Sequence, residues 1–492
     1  MENRQRISQV VAATAFCLLI AVAWRSVPHP VVGLALCLVP LAIIGVLRAP
    51  FLVVLMFVIF SFFRIHEAFP QLYSLRIPLI LAAASLGVLA WHIAITRRIT
   101  PYWRPELTLF AVFFVLVTIG VLLAVNRSVA MTTYTGVYIK IAIMTLAIAW
   151  MTRKSRDFAL ASRLIVLAGI AIALVALHNQ ANGIGLVEGT RVTIGRDIRS
   201  NLGDPNDLAL VLMFPMAFAV SLVMTPGIGK VTRIIGFAGV PLLFSAVIAT
   251  QSRGGLLGIM AVFAVFGYRR IQSKTLFFTI GGLAAFVLLA LAGISERASG
   301  GAAEEGIDES AMGRLYAWQA AFGMALARPL NGVGLDNFYH NYYFYSPHWD
   351  GKNHAVHSTW FGVMAETGFL GLIVFVAMMT MLVRAAVRSL SRIESASDKV
   401  APSVHASSQA VLAGIVATLV SGTFLTQGFT WPVYILAALV VAVARWVDIH
   451  LGSAETPMDA STQSTHTPLA WQTQNLPEQP QASCKHEPGN DN

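Results

Sequence analysis

Charged side chains are scarce in this sequence. They make up 12% of the 492 residues, against about 25% in ordinary soluble domains. Hydrophobic residues make up 56%, and the mean hydropathy is +0.69. A deficit this wide excludes a large soluble domain and indicates a membrane protein. The apolar runs are continuous for about 17 to 21 residues, enough to cross a bilayer as helices, whereas strands of a membrane barrel would alternate.

Cysteine is also rare, and its spacing carries no signal. The three residues are Cys17, Cys37 and Cys484, which excludes a disulfide framework or a cysteine metal site. The formal net charge is +10, yet the basic residues lie mainly beside apolar runs. They are therefore a topology signal and not a nucleic-acid surface. We expect no nucleic-acid partner, no metal and no cofactor.

Fourteen apolar runs are candidates for membrane spans, of which we accept twelve to fourteen. The predicted fold is all-α: a polytopic bundle of about 12–14 transmembrane helices with a long extracytoplasmic loop that contains amphipathic helices. The runs cover residues 8–24, 30–47, 50–63, 78–96, 107–125, 136–152, 160–177, 207–224, 233–250, 254–268, 275–294, 368–387, 408–427 and 430–447.

The distribution of lysine and arginine predicts the orientation of these runs. Arg4 and Arg6 precede the first run, so we place the N-terminus in the cytoplasm, and every second loop is then basic. The basic residues of those loops are Arg97, Arg98, Arg104, Arg153, Lys154, Arg156, Arg163, Lys230, Arg233, Arg269, Arg270, Lys274, Arg384, Arg388, Arg392 and Lys399.

Four regions follow from this topology. Residues 1–177 are N-terminal transmembrane helices, and residues 178–387 form a core with two extracytoplasmic loops, 178–206 and 295–367. Residues 388–451 are C-terminal transmembrane helices. Residues 452–492, rich in Ser, Thr, Gln and Pro, are expected to be a disordered cytoplasmic tail.

Four arginines break the topology rule, because they lie on the side where positive charge is scarce. Arg191, Arg196 and Arg199 precede the sequence DPND in the first outer loop, and Arg253 lies in TQSRGG at the outer end of a span. Guanidinium groups match the oxygen atoms of a diphosphate, and adjacent glycines let a bulky anion approach the backbone. The alternative is ordinary ion pairing with the acidic residues Glu188, Asp197, Asp204 and Asp207.

The second outer loop contains a predicted helix and a run of aromatic residues. Leu315, Trp318, Phe322 and Leu326 recur at helical spacing. They predict an amphipathic helix on the membrane face, or one that packs against the bundle. The aromatic run suits the apolar faces of sugar rings and equally the membrane interface.

Histidine is concentrated in the same loop, as His340, His348, His354 and His357. Histidine accepts and donates protons near neutral pH, so it suits general-base work on a sugar hydroxyl. A helical HExxH motif is absent, which argues against a zinc site. Structural or solvated histidines remain the alternative.

Together these residues resemble the core of the O-antigen ligase and polymerase superfamily. The chain has GDPNDLAL, then TQSRGG, and then a third element in the order typical of the family. The residues of that third element are Arg314, Trp318, Pro329, Gly332, Val333, Gly334, Asn337, Phe338, His357, Ser358 and the stretch 365–371. The resemblance covers roughly residues 180 to 380. Ser358 stands where many relatives have asparagine, and three upstream arginines stand where one is expected.

The resemblance implies a metal-independent glycosyltransferase of the bacterial inner membrane whose active site faces the periplasm. His357 matches the family's essential histidine, and Arg253 matches the arginine of its SRG element. Arg196 and Arg199 both fit the upstream arginine, and Arg191 fits less well. Arg314, Trp318, Asn206 and His354 are candidates for contacts with substrate.

The implied partners are membrane lipids, a glycan donor on undecaprenyl diphosphate, and an acceptor hydroxyl on lipid A core, polysaccharide or protein. The motifs leave a repeat-unit polymerase and a protein O-oligosaccharyltransferase open as alternatives to a ligase. A transporter of lipid-linked glycan is the non-enzymatic alternative, although few charges lie in mid-span.

Overall fold

A computed structural model describes residues 30–198, 200–291, 309–349 and 351–452, with a few isolated positions before residue 30. Its regular structure is helical, and within those residues the one strand-like feature is an isolated bridge between Val187 and Arg191. The all-α prediction is confirmed. The predicted first span, the sequence from Ser295 to Asp308, Arg199 and the C-terminal tail from Ser453 lie outside the described residues.

Seventeen α-helices occur in the described ranges. The first eight are α1 (Pro30–Arg48), α2 (Pro50–Phe62), α3 (Ile65–Ala68), α4 (Ile77–Ala90), α5 (Pro105–Leu122), α6 (Arg127–Thr133), α7 (Ile139–Met151) and α8 (Ser155–Ala181). The others are α9 (Pro205–Met224), α10 (Lys230–Thr250), α11 (Arg253–Arg270), α12 (Lys274–Leu291), α13 (Glu309–Ala327), α14 (Phe338–Tyr345), α15 (Thr359–Ser395), α16 (Pro402–Ser421) and α17 (Trp431–His450).

Nine helical segments in the described part of the chain are long and apolar enough to cross a membrane. A tenth crossing is possible if α1 and α2, which meet at an angle of 98°, form one broken span. Helices suit such sequences because they satisfy every backbone hydrogen bond internally. Proline in the first turn begins α2, α5, α9, α16 and α17, where its missing N–H leaves no bond unmade.

The most buried helices lie at the centre of the bundle. Helix α9 packs against α8, α10, α11 and α16, and α17 packs against α7, α15 and α16. In each of α9 and α17, 83% of the residues in the apolar stretch that could span a membrane are buried. A helix that is apolar all round is expected at such a position, because it has no polar face to turn outward.

The helix ends gather into two groups, which we call the loop end and the basic end. At the loop end α8 and α10 finish and α9, α11 and α15 begin; at the basic end α8, α10 and α16 begin. Side-chain contacts tie each group together: Asn337 accepts a bond from Asn126 N (2.8 Å) at the loop end, and Arg392 pairs with Asp448 (2.8 Å) at the basic end. Both predicted outer loops therefore lie at one end of the bundle.

Helix α15 extends beyond the predicted span that it contains. Its first residue is Thr359, and the predicted span starts at Gly368. Gly368 breaks the regular helix, with φ 72° and ψ −175°. A Cβ at this position would lie 2.4 Å from the Pro329 carbonyl oxygen, so the close approach of the two backbones requires glycine.

Helix α13 packs against α15 through small residues. Its buried face consists of Ala317, Ala320, Ala321, Met324 and Ala325. Three of the large apolar residues that predicted the helix are instead exposed, namely Leu315, Phe322 and Leu326. The predicted helix exists, but its alanine face, and not its large apolar residues, faces the bundle.

Candidate functional site

Arg191 joins the first two sequence motifs at the loop end. Its Nε donates to the carbonyl oxygen of Thr250 (3.2 Å), and its Nη2 donates to Oδ1 of Asn206 (3.3 Å). The same Asn206 oxygen accepts a bond from Oγ of Ser252 (2.9 Å). One guanidinium group therefore contacts DPND and the residues just before Arg253.

The other two upstream arginines stand apart from this network. Arg196 is exposed, and its backbone packs against Gly203. Arg199 lies outside the described residues. The sequence analysis ranked Arg191 last of the three. Of Arg191 and Arg196, the two that the structure describes, Arg191 is the one that bonds to the DPND motif. What distinguishes Arg191 is its position in the fold, because the chain turns back toward α10 at the bridge between Val187 and Arg191.

Arg253 occupies the first position of α11, an 18-residue helix. Ser252 caps this helix by accepting a bond from the N–H of Gly255 (3.3 Å). The N-terminus of a helix attracts anions through its unpaired N–H groups and its dipole. Gly254 and Gly255 are buried against Leu425 and Ala209, where a Cβ would come within 2.7 and 2.6 Å respectively. The glycines of TQSRGG therefore pack the helix into the bundle and leave Arg253 at its tip.

His357 lies between two anchored residues. Nε1 of Trp318 donates to the carbonyl oxygen of Val356 (3.1 Å), and Oγ1 of Thr359 donates to the carbonyl oxygen of Leu425 (2.7 Å). Between them His357 has φ 43°, in the left-handed region that a non-glycine residue rarely adopts. Tertiary contacts on both sides hold the backbone of His357 in place.

Burial and charge together lower the pKa of His357 below its usual 6.5. Burial is the largest cause, followed by the positive charge of Arg314, whereas Asp204 acts in the opposite direction. His354 and Arg191 also lower this pKa. The structure thus brings His357 into one electrostatic environment with Arg314, His354 and the DPND loop, and keeps its imidazole neutral at pH 7.

His357 and Arg253 share the loop end through Leu425. The side chain of Leu425 packs on Gly254, next to Arg253, and its carbonyl oxygen bonds to Thr359, two residues beyond His357. Two motifs separated by a hundred residues of sequence therefore meet on one segment, the connection between α16 and α17.

The remaining sequence candidates contact protein groups. Trp318 stacks on Phe361, with 4.9 Å between ring centroids and 9° between planes. His354 lies edge-on to Tyr342, and His348 stacks on Tyr316 at 5.0 Å. The indole of Trp318 and the amide oxygen of Asn206 both form hydrogen bonds within the protein, so each positions the residues beside it.

The Gly332-Val333-Gly334 and Ala365–Gly371 elements dock on each other. The backbone N–H groups of Val333 and Gly334 donate to the carbonyl oxygens of Ala365 (2.9 Å) and Glu366 (3.1 Å). Oε2 of Glu366 accepts from the N–H of Asp336 (2.9 Å). These hydrogen bonds hold the two elements of the second loop together.

The sequence analysis did not identify the residues that hold the first outer loop in place. Glu67 is buried and accepts a bond from Oγ of Ser200, and it also pairs with Arg64. Arg64 follows a span that ends at the loop end, so the criterion that selected the other arginines also selects it. The contact itself joins residues that are far apart in sequence, which no local pattern reveals.

Comparison with known proteins agrees with the motifs. Residues 238–376 match a family model described as O-antigen ligase. That range contains Arg253, His357 and the stretch from Ala365 to Gly371, and it confirms the resemblance to the O-antigen ligase and polymerase superfamily. A search of curated proteins found no match.

Proposed function

Because residues 238–376 match a family model described as O-antigen ligase, we propose that the protein transfers a glycan from undecaprenyl diphosphate to an acceptor hydroxyl. The transfer takes place at the periplasmic face of the inner membrane, the side of the loop end. One observation carries the proposal: Arg191 bonds to both the DPND and the TQSRGG motifs and also lowers the pKa of His357.

Arg191 and Arg253 bind the diphosphate. The carbonyl oxygen of Thr250 and the amide oxygen of Asn206 orient the guanidinium group of Arg191. Its ion pair with Glu188 is longer, at 3.9 Å, and the Glu188 side chain is 58% exposed. Arg253 adds a second guanidinium at a helix N-terminus. Both charges stabilise the negative charge that develops on the leaving group.

His357 is the general base. A neutral imidazole can take the proton of the acceptor hydroxyl, and the lowered pKa of His357 keeps that form dominant at neutral pH. Trp318 and Thr359 are positioning residues, because they hold the backbone on both sides of His357.

The reaction is a single displacement. The acceptor oxygen forms a bond to the anomeric carbon while the bond from that carbon to the phosphate oxygen breaks. The acceptor proton goes to His357, and undecaprenyl diphosphate leaves as the anion held by Arg191 and Arg253. The anomeric configuration inverts.

Glycan transfer by purified variants tests the assignment. His357→Ala and Arg253→Ala are each compared with Arg388→Ala, which removes an exposed arginine at the basic end. We expect each of the first two changes to lower the rate about 100-fold or more and Arg388→Ala to leave it unchanged. Full activity in a folded His357 or Arg253 variant contradicts the assigned role.

The product identifies the acceptor. We propose a ligase, following the description of the matched family, and expect glycan joined to lipid A core. A lengthened lipid-linked glycan would identify a repeat-unit polymerase, and glycosylated protein an O-oligosaccharyltransferase. A transporter would leave the bond between donor sugar and phosphate intact.

A further inference from the structure

A second cluster of cations surrounds a cavity at the basic end, away from the site described above. The cavity has a volume of ≈ 570 Å³ and lies where the end of α1, the start of α2 and the start of α8 approach the segment that follows α4. Six basic side chains line it: Arg48, Arg98, and four from one segment, Arg153, Lys154, Arg156 and Arg163.

The single carboxylate in the lining of the cationic cavity is already engaged. Asp157 accepts bonds from the backbone N–H groups of Arg153 (3.1 Å) and Lys154 (2.8 Å) at the start of α8. Its ion pair with Arg156 is long, at 3.9 Å, and the Arg156 side chain is 77% exposed. One carboxylate does not balance six cations, so the cavity carries a strong positive potential.

Other cations at the basic end have carboxylate partners. Arg269 pairs with Glu394, and Arg392 pairs with Asp448. Within the described ranges, the side chains of Arg48 and Arg98 form no ion pair. A topology signal alone requires basic residues near span ends, but not their convergence on one cavity.

Apolar residues complete the lining of the cavity. Leu47, Phe51 and Met151 face it, and the adjoining helix α1 exposes Leu41 and Ile43. A ligand that fits must therefore be anionic at one end and apolar at the other. Basic pockets between transmembrane helices bind the headgroups of anionic lipids in this way.

We propose that the cavity lined by Arg48, Arg98 and Arg153 binds the phosphate headgroup of an anionic phospholipid, whose acyl chains lie along α1 and α2. The site is separate from the proposed diphosphate site, which lies at the opposite end of the bundle. Lipid bound here holds the bend between α1 and α2 against α8.

Lipid retention by the purified full-length chain tests this site. The protein in a zwitterionic detergent is mixed with equal amounts of phosphatidylglycerol and phosphatidylcholine, and native mass spectrometry counts the bound lipid. We expect phosphatidylglycerol to be retained preferentially. The double variant Arg48→Gln/Arg98→Gln should lose that preference, by about fivefold in affinity for each charge removed.

The control removes the same charge elsewhere at the basic end. Arg388→Gln/Lys399→Gln changes two exposed residues outside the cavity, and its lipid retention should equal that of the parent. Equal losses in the two double variants, or no preference for phosphatidylglycerol in the parent, would overturn the proposal. If the first double variant does not fold, the single variants Arg48→Gln and Arg98→Gln give the same comparison.

Inorganic phosphate distinguishes a lipid headgroup from a free anion. Phosphate at the concentration of the lipid should leave phosphatidylglycerol bound, because it lacks the apolar contacts. Displacement of the lipid by an equal concentration of phosphate contradicts a lipid site.

Discussion

Arg392 at the basic end and Arg191 at the loop end differ in their partners. At the basic end Arg104 pairs with Glu106 and Asp448, and Arg392 pairs with the same Asp448. At the loop end Arg191 donates hydrogen bonds to the neutral oxygens of Thr250 and Asn206, and its ion pair with Glu188 is longer, at 3.9 Å. In our proposal the charge of Arg392 stabilises the fold, whereas that of Arg191 binds the diphosphate.

The largest test of this difference compares one arginine from each end. Arg191→Ala should lower glycan transfer about 100-fold, because it removes a donor to the leaving group. Arg392→Ala should leave the rate per folded molecule unchanged and lower stability instead. The measurements are initial transfer rates and thermal unfolding in detergent. Equal effects of the two changes on transfer would erase the distinction.

The backbone at the loop end provides the next test. Gly368→Ala places a Cβ 2.4 Å from the Pro329 carbonyl oxygen, at φ 72°. The strain and the clash should lower the free energy of unfolding by roughly 2 to 5 kcal/mol. Gly87→Ala is the control, because a Cβ there meets nothing within 4 Å. A Gly368 variant as stable as the Gly87 variant would contradict the docking of the second loop on α15.

At the basic end, Asp448→Asn should weaken two ion pairs at once. Asp448 contacts Arg104 and Arg392, and all three side chains are partly buried. Loss of the carboxylate charge should cost roughly 1 to 3 kcal/mol of stability. Transfer per folded molecule should stay constant, as measured on material that elutes as a single species. A fall in that rate would mean that the basic end also serves catalysis.

The smallest expected effect is a shift of the pH profile. Transfer requires neutral His357, so the rate should fall as pH drops through its lowered pKa. Arg314→Gln removes a charge that lowers this pKa, so the acidic limb should move to higher pH. Asp204→Asn removes a charge that raises it, so the limb should move to lower pH, while asparagine still caps α9. Shifts of the same sign in both variants would contradict the assignment of the limb to His357.

Much of the fold could be predicted because membrane-spanning helices follow directly from long apolar runs. The helices from Pro105, Pro205 and Trp431 lie where the runs predicted them. The face that a helix buries was harder to predict. Helix α13 buries its alanines and exposes Leu315 and Phe322, since close packing on α15 favours small residues.

The candidate site was predictable in its residue types but not in its pairings. The motifs named His357 and Arg253, and the structure brings both to one end through Leu425. Our proposal of Arg191 among the upstream arginines rests on its contact with Thr250, across 59 positions. Spacing along the chain carries no information about such a contact, so the sequence favoured the arginines nearer to DPND.

The left-handed backbone conformation of His357 is unfavourable for folding, whereas the proposed chemistry requires a histidine at this position. A non-glycine residue in that conformation costs roughly 1 to 2 kcal/mol, and His357 has φ 43°. His357→Gly should therefore yield a protein that resists heat better than the parent and transfers no glycan. Selection for stability alone would favour glycine at this position, whereas the proposed reaction needs the imidazole.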